Sequence, residues 1–221
     1  MIFIQKTRKI FSVGVELGKP ADGTAISFME LVGSPSSPAD PSPDLTGHVR
    51  YLKRFPPGTL FTEIARWLSD FLDSEMQRQS KEKTAFGPRD VDVTFLLVID
   101  QTAVGSSVVD MILKIVKRPA WRVVISGSHS QGSSKGYNIV PKQELISLVQ
   151  ARLETKQLKF AAALPDTKLL ADELINYQDQ KTNAMPLADT WREHPSDDLV
   201  FAVALACWAP QLDIRFSADW I

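Results

Sequence analysis

The feature that most constrains the fold of this chain is the stretch from Val93 to Gly105. It begins as an unbroken apolar run, reaches one carboxylate at Asp100, and then turns through small residues toward a helix. A strand with one wet face would alternate between apolar and polar residues, so this run indicates a strand covered on both faces. Asp100 is therefore predicted at the carboxyl end of a central strand, where open α/β sheets collect ligands and catalytic groups. An aspartate that only starts the turn or caps the next helix would give the same pattern.

Composition limits the other possibilities. With 221 residues, 44% of them hydrophobic, the chain can bury one good core, and we expect a single domain spanning residues 1–221. The formal net charge of −1 provides no global basic field, so a nucleic-acid partner would need a local patch. The single cysteine, Cys207, excludes an internal disulfide and a cysteine-based zinc site. Neither a signal-peptide pattern nor a membrane-spanning run is present, so we expect a cytoplasmic protein and no membrane partner.

The segments around the central strand predict a mixed sheet. Stretches at 11–17, 24–32 and 48–55 favour three antiparallel strands, because a link rich in Gly, Pro and Asp joins the first two. A helix at 106–117 should lead into a strand at 121–126 that runs parallel to the central one. The predicted fold is α/β, with a mixed five-stranded sheet of three antiparallel strands followed by two parallel strands, flanked by helices.

Stretches without apolar periodicity are expected outside this sheet. They are polar, or rich in Pro, Ser and Gly, which favours turns and loops over regular elements. We expect an N-terminal extension at 1–9, surface loops at 33–44 and 80–90, a flexible flap at 127–137 and a C-terminal tail at 210–221. The flap follows the carboxyl end of the last predicted strand, which favours a cover over a site.

Acidic residues fall at the ends of elements that are predicted to be buried. Glu16 lies late in the first strand, Asp100 ends the central strand, and Asp197 and Asp198, here called the acid pair, start an apolar helix. Carboxylates rarely enter a core without a partner, so groups in these places favour a shared cation. Oxygen ligands without a Cys or His set indicate Mg²⁺ or Mn²⁺. Two such ions bridged by a carboxylate can promote phosphodiester hydrolysis.

These pieces follow one another in the order of a ribonuclease H-like nuclease. More specifically, the sequence resembles the C-terminal nuclease domain of the bacteriophage terminase large subunit, over about residues 10 to 209. The matching segments are Val13–Gly18 with Asp22–Ala25, Val98–Gly105 with Val108–Asp110, Val140–Leu145, Leu158–Ala161 with Leu164–Pro165, Glu173–Leu174, and Asp197–Val200 with Ala202–Trp208. Their order and spacing carry the resemblance.

The resemblance implies a metal-dependent DNA endonuclease that acts in phage genome packaging by a two-metal-ion mechanism. It implies two Mg²⁺ or Mn²⁺ ions as cofactors, and it assigns both the catalytic and the metal-binding roles to Glu16, Asp100, Asp197 and Asp198. The first strand of such domains usually ends in Asp, whereas this chain has Glu16. The additional methylene allows three outcomes: a shifted metal spacing, a preference for Mn²⁺, or a site without activity.

The resemblance also implies partners and a location. Double-stranded DNA is the implied substrate, and the host bacterial cytoplasm is the implied location for a phage or prophage protein. The sequence contains no P-loop motif, so we expect no ATPase in this chain. The packaging motor would then lie on a removed segment or on a separate terminase ATPase, with the small subunit and the portal as further partners.

Basic residues near the acids are candidates for DNA contacts. Lys142 is placed to approach a scissile phosphate, while Arg50, Lys53 and Arg54 lie on the third predicted strand and Lys135 lies in the flap. Phosphate contacts of this kind supply most sequence-independent DNA affinity. Solvated charge, which also protects a sheet edge from unwanted pairing, explains these residues nearly as well.

Two other functions stay open. One is a catalytically weakened ribonuclease H-like module that binds DNA or a partner subunit. The other is a nucleotide-binding α/β domain with Asp100 on a ribose, and the absence of a glycine-rich phosphate loop disfavours it. Which member of the acid pair would bind metal is also open, because one of them, or Ser196, could cap the helix. His194 is separated from the acid pair by Pro195 and Ser196 and is assigned no role.

Overall fold

The computed structural model describes residues 7–19, 21–34, 44–84, 87–127, 130–134, 136–161, 163–182 and 197–213. The strands in these ranges are β1 (Thr7–Glu16), β2 (Thr24–Ser34), β3 (Asp44–Phe55), β4 (Lys81–Thr84), β5 (Gly87–Asp100), β6 (Trp121–Ser126), β7 (Gly132–Ser134), β8 (Tyr137–Pro141) and β9 (Leu158–Phe160). The helices are α1 (Phe61–Gln79), α2 (Ser106–Val116), α3 (Lys142–Glu154), α4 (Thr167–Thr182) and α5 (Asp198–Asp213).

All of these strands belong to one mixed sheet. Eight of them run in the order β7-β8-β6-β5-β1-β2-β3-β9, and β4 pairs with β5. The pairs β1–β2 and β2–β3 are antiparallel, whereas β1–β5 and β5–β6 are parallel. The predicted α/β class and mixed sheet are therefore confirmed. The predicted number of five strands was too low, because β4, β7, β8 and β9 are too short for a periodicity to be visible in the sequence.

Three stretches predicted to lie outside the sheet contain strand residues. Residues 7–9 of the expected N-terminal extension belong to β1. The expected loop at 80–90 forms an antiparallel pair between β4 and the start of β5, and the expected flap at 127–137 contains β7, which pairs with β8. Every residue of β7 is exposed. Such a strand is held by its backbone hydrogen bonds alone, so its sequence shows no apolar pattern from which the strand could be predicted.

Two further predicted boundaries differ at their edges. The ends of the expected loop at 33–44 belong to β2 and β3, and its middle, 35–43, lies outside the described residues. Residues 210–213 of the expected tail belong to α5, which continues through Pro210 to Asp213, and residues 214–221 lie outside the described residues. Packing of α5 in the core outweighs the hydrogen bond that a proline removes from a helix.

Helices cover both faces of the central strand. Leu96 and Val98 of β5 belong to a core that includes residues of α3, α4 and α5, whereas Leu97 and Ile99 belong to a core that includes α1 and α2. All four side chains are buried. The strand predicted from the unbroken apolar run is thus confirmed as covered on both faces. None of the described helices is long and apolar enough to cross a membrane.

Helix α5 approaches β1 so closely that backbone meets backbone. A Cβ atom on Gly14 would lie 2.0 Å from the carbonyl oxygen of Ala202 and 2.7 Å from the nitrogen of Ala206. The Ser12 hydroxyl of β1 donates a hydrogen bond to the carbonyl oxygen of Ala206 at 2.5 Å. Ala202 and Ala206 are four residues apart and therefore lie on one face of the helix. This contact places the first turn of α5, with the acid pair, near the end of β1.

Candidate functional site

The register between β1 and β5 brings two carboxyl groups together. Val15 pairs with Ile99, so the next residues, Glu16 and Asp100, end neighbouring parallel strands side by side. Adjacent strands lie about 4.8 Å apart, which is within reach of two acidic side chains. A side-chain hydrogen-bond contact between the two groups acts to raise the pKa of Glu16 and to lower that of Asp100. Such a bond requires a proton on one of the two carboxyl groups.

Burial raises the pKa of both carboxyl groups. The pKa of Glu16 lies well above its usual value because burial disfavours the charged form, and the charges of Asp100, Asp198 and Asp197 raise it further. Burial also raises the pKa of Asp100, which is 2% exposed, although hydrogen bonds from Thr102 oppose that increase. The three aspartates therefore all act on Glu16, and Glu16 in turn acts on Asp100.

Thr102 fixes the Asp100 side chain. The Thr102 backbone N–H donates to Asp100 Oδ1 at 2.9 Å, and its hydroxyl donates to the same oxygen at 2.5 Å. The Thr102 hydroxyl oxygen in turn accepts the backbone N–H of Ile125 at 2.7 Å, which ties the turn after β5 to β6. The residue before α2 is Gly105, and no side chain caps that helix. Asp100 thus starts the turn and does not cap α2.

Replacing Thr102 with Val should lower the free energy of unfolding by about 1–2 kcal/mol, because the isosteric side chain leaves Asp100 Oδ1 and the Ile125 N–H each without the hydroxyl partner. Thr102→Ser keeps the hydroxyl and should lose less. Urea unfolding of the three proteins measures the difference. Equal midpoints for the Val variant and the unsubstituted protein would mean that the hydroxyl contributes nothing to the turn.

Glu173 of α4 caps the start of α5. Its Oε2 atom accepts the backbone N–H groups of Leu199 at 2.9 Å and of Val200 at 3.2 Å. Burial raises the pKa of Glu173 to about 7, against the effect of the Val200 N–H and of Arg54. Because these N–H groups are satisfied from α4, the side chains of the acid pair are available for other contacts. His194 and Ser196 lie outside the described residues.

The two members of the acid pair have different surroundings. The Asp198 side chain is 14% exposed, and its Oδ2 accepts a hydrogen bond from Arg54 Nη2 at 3.0 Å. The Asp197 side chain is 41% exposed and lies 3.2 Å from Lys142 Nζ. Asp198 is therefore the inner member, and its effect on the pKa of Glu16 exceeds that of Asp197.

The predicted DNA-contact residues fall into two groups. Beside the acid pair lie Arg54 and Lys142, and the Lys142 ammonium stacks over the Phe201 and Tyr177 rings at 4.7 and 5.5 Å from their centroids. Elsewhere on β3, Arg50 pairs with Glu30 at 2.6 Å and Lys53 lies over the Phe55 ring. Lys135 lies outside the described residues.

The donor set suits a hard divalent cation, although it is not assembled as a full ligand cage. Among the described residues, no three side chains of Asp, Glu, His or Cys are arranged to hold one metal ion together. The strand ends bring Glu16 and Asp100 together, and the acid pair is near enough for its charge to act on Glu16. Glu16 Oε2 is buried and has no hydrogen-bond partner in the described part of the chain. A carboxylate oxygen left in that state fits a cation ligand.

Sequence reasoning missed two residues of this site. Thr102 carried a weak signal, since an Asp followed two residues later by Thr is common in turns that bond the aspartate side chain to the backbone. Glu173 belonged to a segment that matched the terminase nuclease pattern, but nothing in its local sequence indicates that it caps a helix that starts 25 residues later. Only the packing of α4 against α5 creates that contact.

Solved structures of viral terminase nucleases match this chain at low identity. The large terminase nuclease from thermophilic phage G20c has 20% sequence identity and a TM-score of 0.45, over 92% of this chain and 84% of that chain. The human cytomegalovirus terminase nuclease domain, Mn soaked, has 13% identity and a TM-score of 0.49, over 93% of this chain and 87% of that chain. Another structure of the human cytomegalovirus terminase nuclease domain has 13% identity and a TM-score of 0.42, over 93% of this chain and 89% of that chain. No protein-family model and no curated protein matches the chain.

Proposed function

We propose that this protein is a metal-dependent DNA endonuclease of the terminase large-subunit type. The observation that carries the proposal is the placement of Glu16 and Asp100 side by side at the carboxyl ends of adjacent parallel strands. Burial and repulsion both disfavour two charged carboxyl groups in such a place, with raised pKa values and the acid pair nearby. The fold nevertheless holds the two groups side by side. A divalent cation relieves both effects, so the arrangement is suited to metal binding.

The proposed ligands of two Mg²⁺ or Mn²⁺ ions are Glu16, Asp100, Asp197 and Asp198. When bound, such ions activate a water molecule and stabilise the leaving oxygen of a phosphodiester. The protein itself orients the ligands: Thr102 holds Asp100, and Arg54 holds Asp198. A neutral carboxyl group is a poor metal ligand, so Glu16 would hold such an ion only as a carboxylate, with its proton released to solvent.

Double-stranded DNA is the proposed substrate, with sequence-independent contacts to its backbone. Lys142 is half-exposed beside Asp197, where an ammonium group can meet a phosphate close to the acids. Arg50, Lys53 and Lys135 are proposed as contacts further along the duplex. The same proposal includes a role in phage genome packaging in the bacterial cytoplasm, with the ATPase on a removed segment or on another chain and with the small subunit and portal as partners.

A second candidate is a ribonuclease H-like module with a weakened site that binds DNA or a partner subunit. It is favoured by the absence, among the described residues, of three acids arranged around one ion, and by Glu16 in place of the shorter aspartate. In this case Glu16 would remain protonated in the resting protein, and cleavage would be slow or absent.

Cleavage of supercoiled plasmid in Mg²⁺ or Mn²⁺ tests the proposal, and chelator should stop it. The variant Glu16→Asp separates the two candidates by the sign of its effect. If the site is active as it stands, withdrawing the carboxylate by one methylene should lower cleavage, by up to about a hundredfold. If the site is weakened, the same substitution should raise cleavage. No cleavage by either protein in any metal would contradict the endonuclease proposal.

A further inference from the structure

Arg54 joins two carboxylates that belong to different helices. Its Nη2 atom donates to Asp198 Oδ2 at 3.0 Å, and its Nη1 atom lies 3.9 Å from Glu173 Oε1. Glu173 is 3% exposed, and its Oε1 is buried without a hydrogen-bond partner in the described part of the chain. The guanidinium therefore supplies the positive charge that faces this buried carboxylate. A planar fork of donors is suited to bridging two acids in this way.

The surrounding backbone holds Arg54 and Asp198 in contact. A Cβ atom on Gly23, between β1 and β2, would lie 2.9 Å from Asp198 Oδ2 and 3.0 Å from Arg54 Nε. Arg54 is also fixed along β3, where it pairs with Ala25 of β2. The turn after β1 thus packs directly on the Arg54–Asp198 ion pair, and it leaves no room for a side chain at position 23.

Arg54 is poorly placed to bind a phosphate. Its side chain is 28% exposed, compared with 49% for Arg50 on the same strand, and it faces two carboxylates. A phosphate contact would have to compete with the ion pair to Asp198. It would also leave the buried Glu173 carboxylate without its facing cation, which is costly in a core.

We infer that Arg54 and Glu173 are positioning residues for Asp198, and that Arg54 does not contact DNA. Glu173 fixes the first turn of α5 through two backbone N–H groups, and Arg54 then fixes the Asp198 carboxylate against that turn. This inference rests on the proposed function, because Asp198 is one of the proposed metal ligands. It selects Asp198 as the oriented ligand of the acid pair.

The test measures two affinities for each protein. Mn²⁺ binding is measured by titration calorimetry, and duplex binding is measured by fluorescence anisotropy in chelator. Arg54→Met, which keeps the apolar stem, should weaken Mn²⁺ binding about tenfold or more, because partners of metal ligands typically contribute 10- to 100-fold to affinity. Its duplex affinity should stay within about twofold, since one lost phosphate contact would cost more. Glu173→Gln, which keeps the shape, should weaken Mn²⁺ binding in the same direction and leave duplex binding unchanged.

The control is Arg66→Met, at an exposed position of α1, which should change neither affinity. Loss of duplex binding with unchanged Mn²⁺ affinity in Arg54→Met would make Arg54 a DNA contact and overturn the inference. Unchanged values for both affinities in Arg54→Met and Glu173→Gln would also overturn it. If Arg54→Met does not fold by circular dichroism, Glu173→Gln decides by the same criteria. Absence of Mn²⁺ binding by the unsubstituted protein would instead refute the proposed function, and the inference with it.

Discussion

Replacing Asp100 with Asn is expected to reduce metal-dependent plasmid cleavage by at least about a hundredfold, while the protein stays folded. Loss of a residue that only holds a metal ligand in place typically costs about 10- to 100-fold in metal affinity or activity. Loss of the charge of a ligand itself should cost more. The variant should fold because Asn keeps the size of the side chain and can still accept the Thr102 N–H. Burial raises the pKa of Asp100, so its charged form is disfavoured in the folded state, and a neutral amide removes that penalty.

The measurement combines initial cleavage rates in Mn²⁺ with urea unfolding of the same preparations. The free energy of unfolding should stay within about 1 kcal/mol of the unsubstituted value, the usual range for a size-conserving change that keeps a hydrogen bond. Asp70→Asn, at an exposed position of α1, serves as the matched control and should change neither quantity. Full cleavage by Asp100→Asn would place the active site elsewhere.

Gly14→Ala is expected to destabilise the protein by more than about 3 kcal/mol, beyond the usual cost of overpacking a core. The added methyl group would meet the backbone of α5 at 2.0 Å, and backbone cannot turn aside as a flexible side chain can. Either α5 separates from β1, or the strand bends out of the sheet. Since a domain of this size is stable by only about 5–15 kcal/mol, we expect poor soluble yield or a much lower urea midpoint.

Gly127→Ala is the control for that substitution, because a Cβ atom at Gly127 would meet nothing within 4 Å. It should leave the urea midpoint nearly unchanged. If Gly14→Ala unfolded at the same midpoint as Gly127→Ala, the close packing of α5 on β1 would be refuted. The effect on the candidate site can be followed with the same two variants, because a displaced α5 also carries the acid pair away from Glu16.

The sequence predicts the parts of the fold that carry a long periodic signal. The apolar run that ends at Asp100 identified the central strand, and its position in the middle of the sheet follows from burial on both faces. The antiparallel strands before it were visible through their turn residues. β7 and β9 are three residues each, so their pairing depends on neighbours that no local pattern describes. Their existence is a tertiary effect.

The site divides in the same way. Glu16, Asp100 and the acid pair stand at element ends, and element ends can be placed from sequence. The contact between Glu16 and Asp100, the bond from the Ile125 N–H to Thr102 and the cap from Glu173 depend on distances between segments that are far apart in the sequence. A single sequence without its packing contains no information on those distances. The contact of the Lys142 ammonium with two aromatic rings is hidden for the same reason.

The hydrogen bond between Ser12 and Ala206 spans 194 positions of the chain. Since α5 carries the acid pair and β1 carries Glu16, the candidate site cannot exist until segments near both ends of this sequence have met. Contacts of such long range form late in folding, after the loop between them has closed. A growing or partly folded chain would hold Glu16 and Asp100 without the acid pair. If the protein is the proposed nuclease, this ordering would keep it inactive until both segments have been synthesised and have packed together.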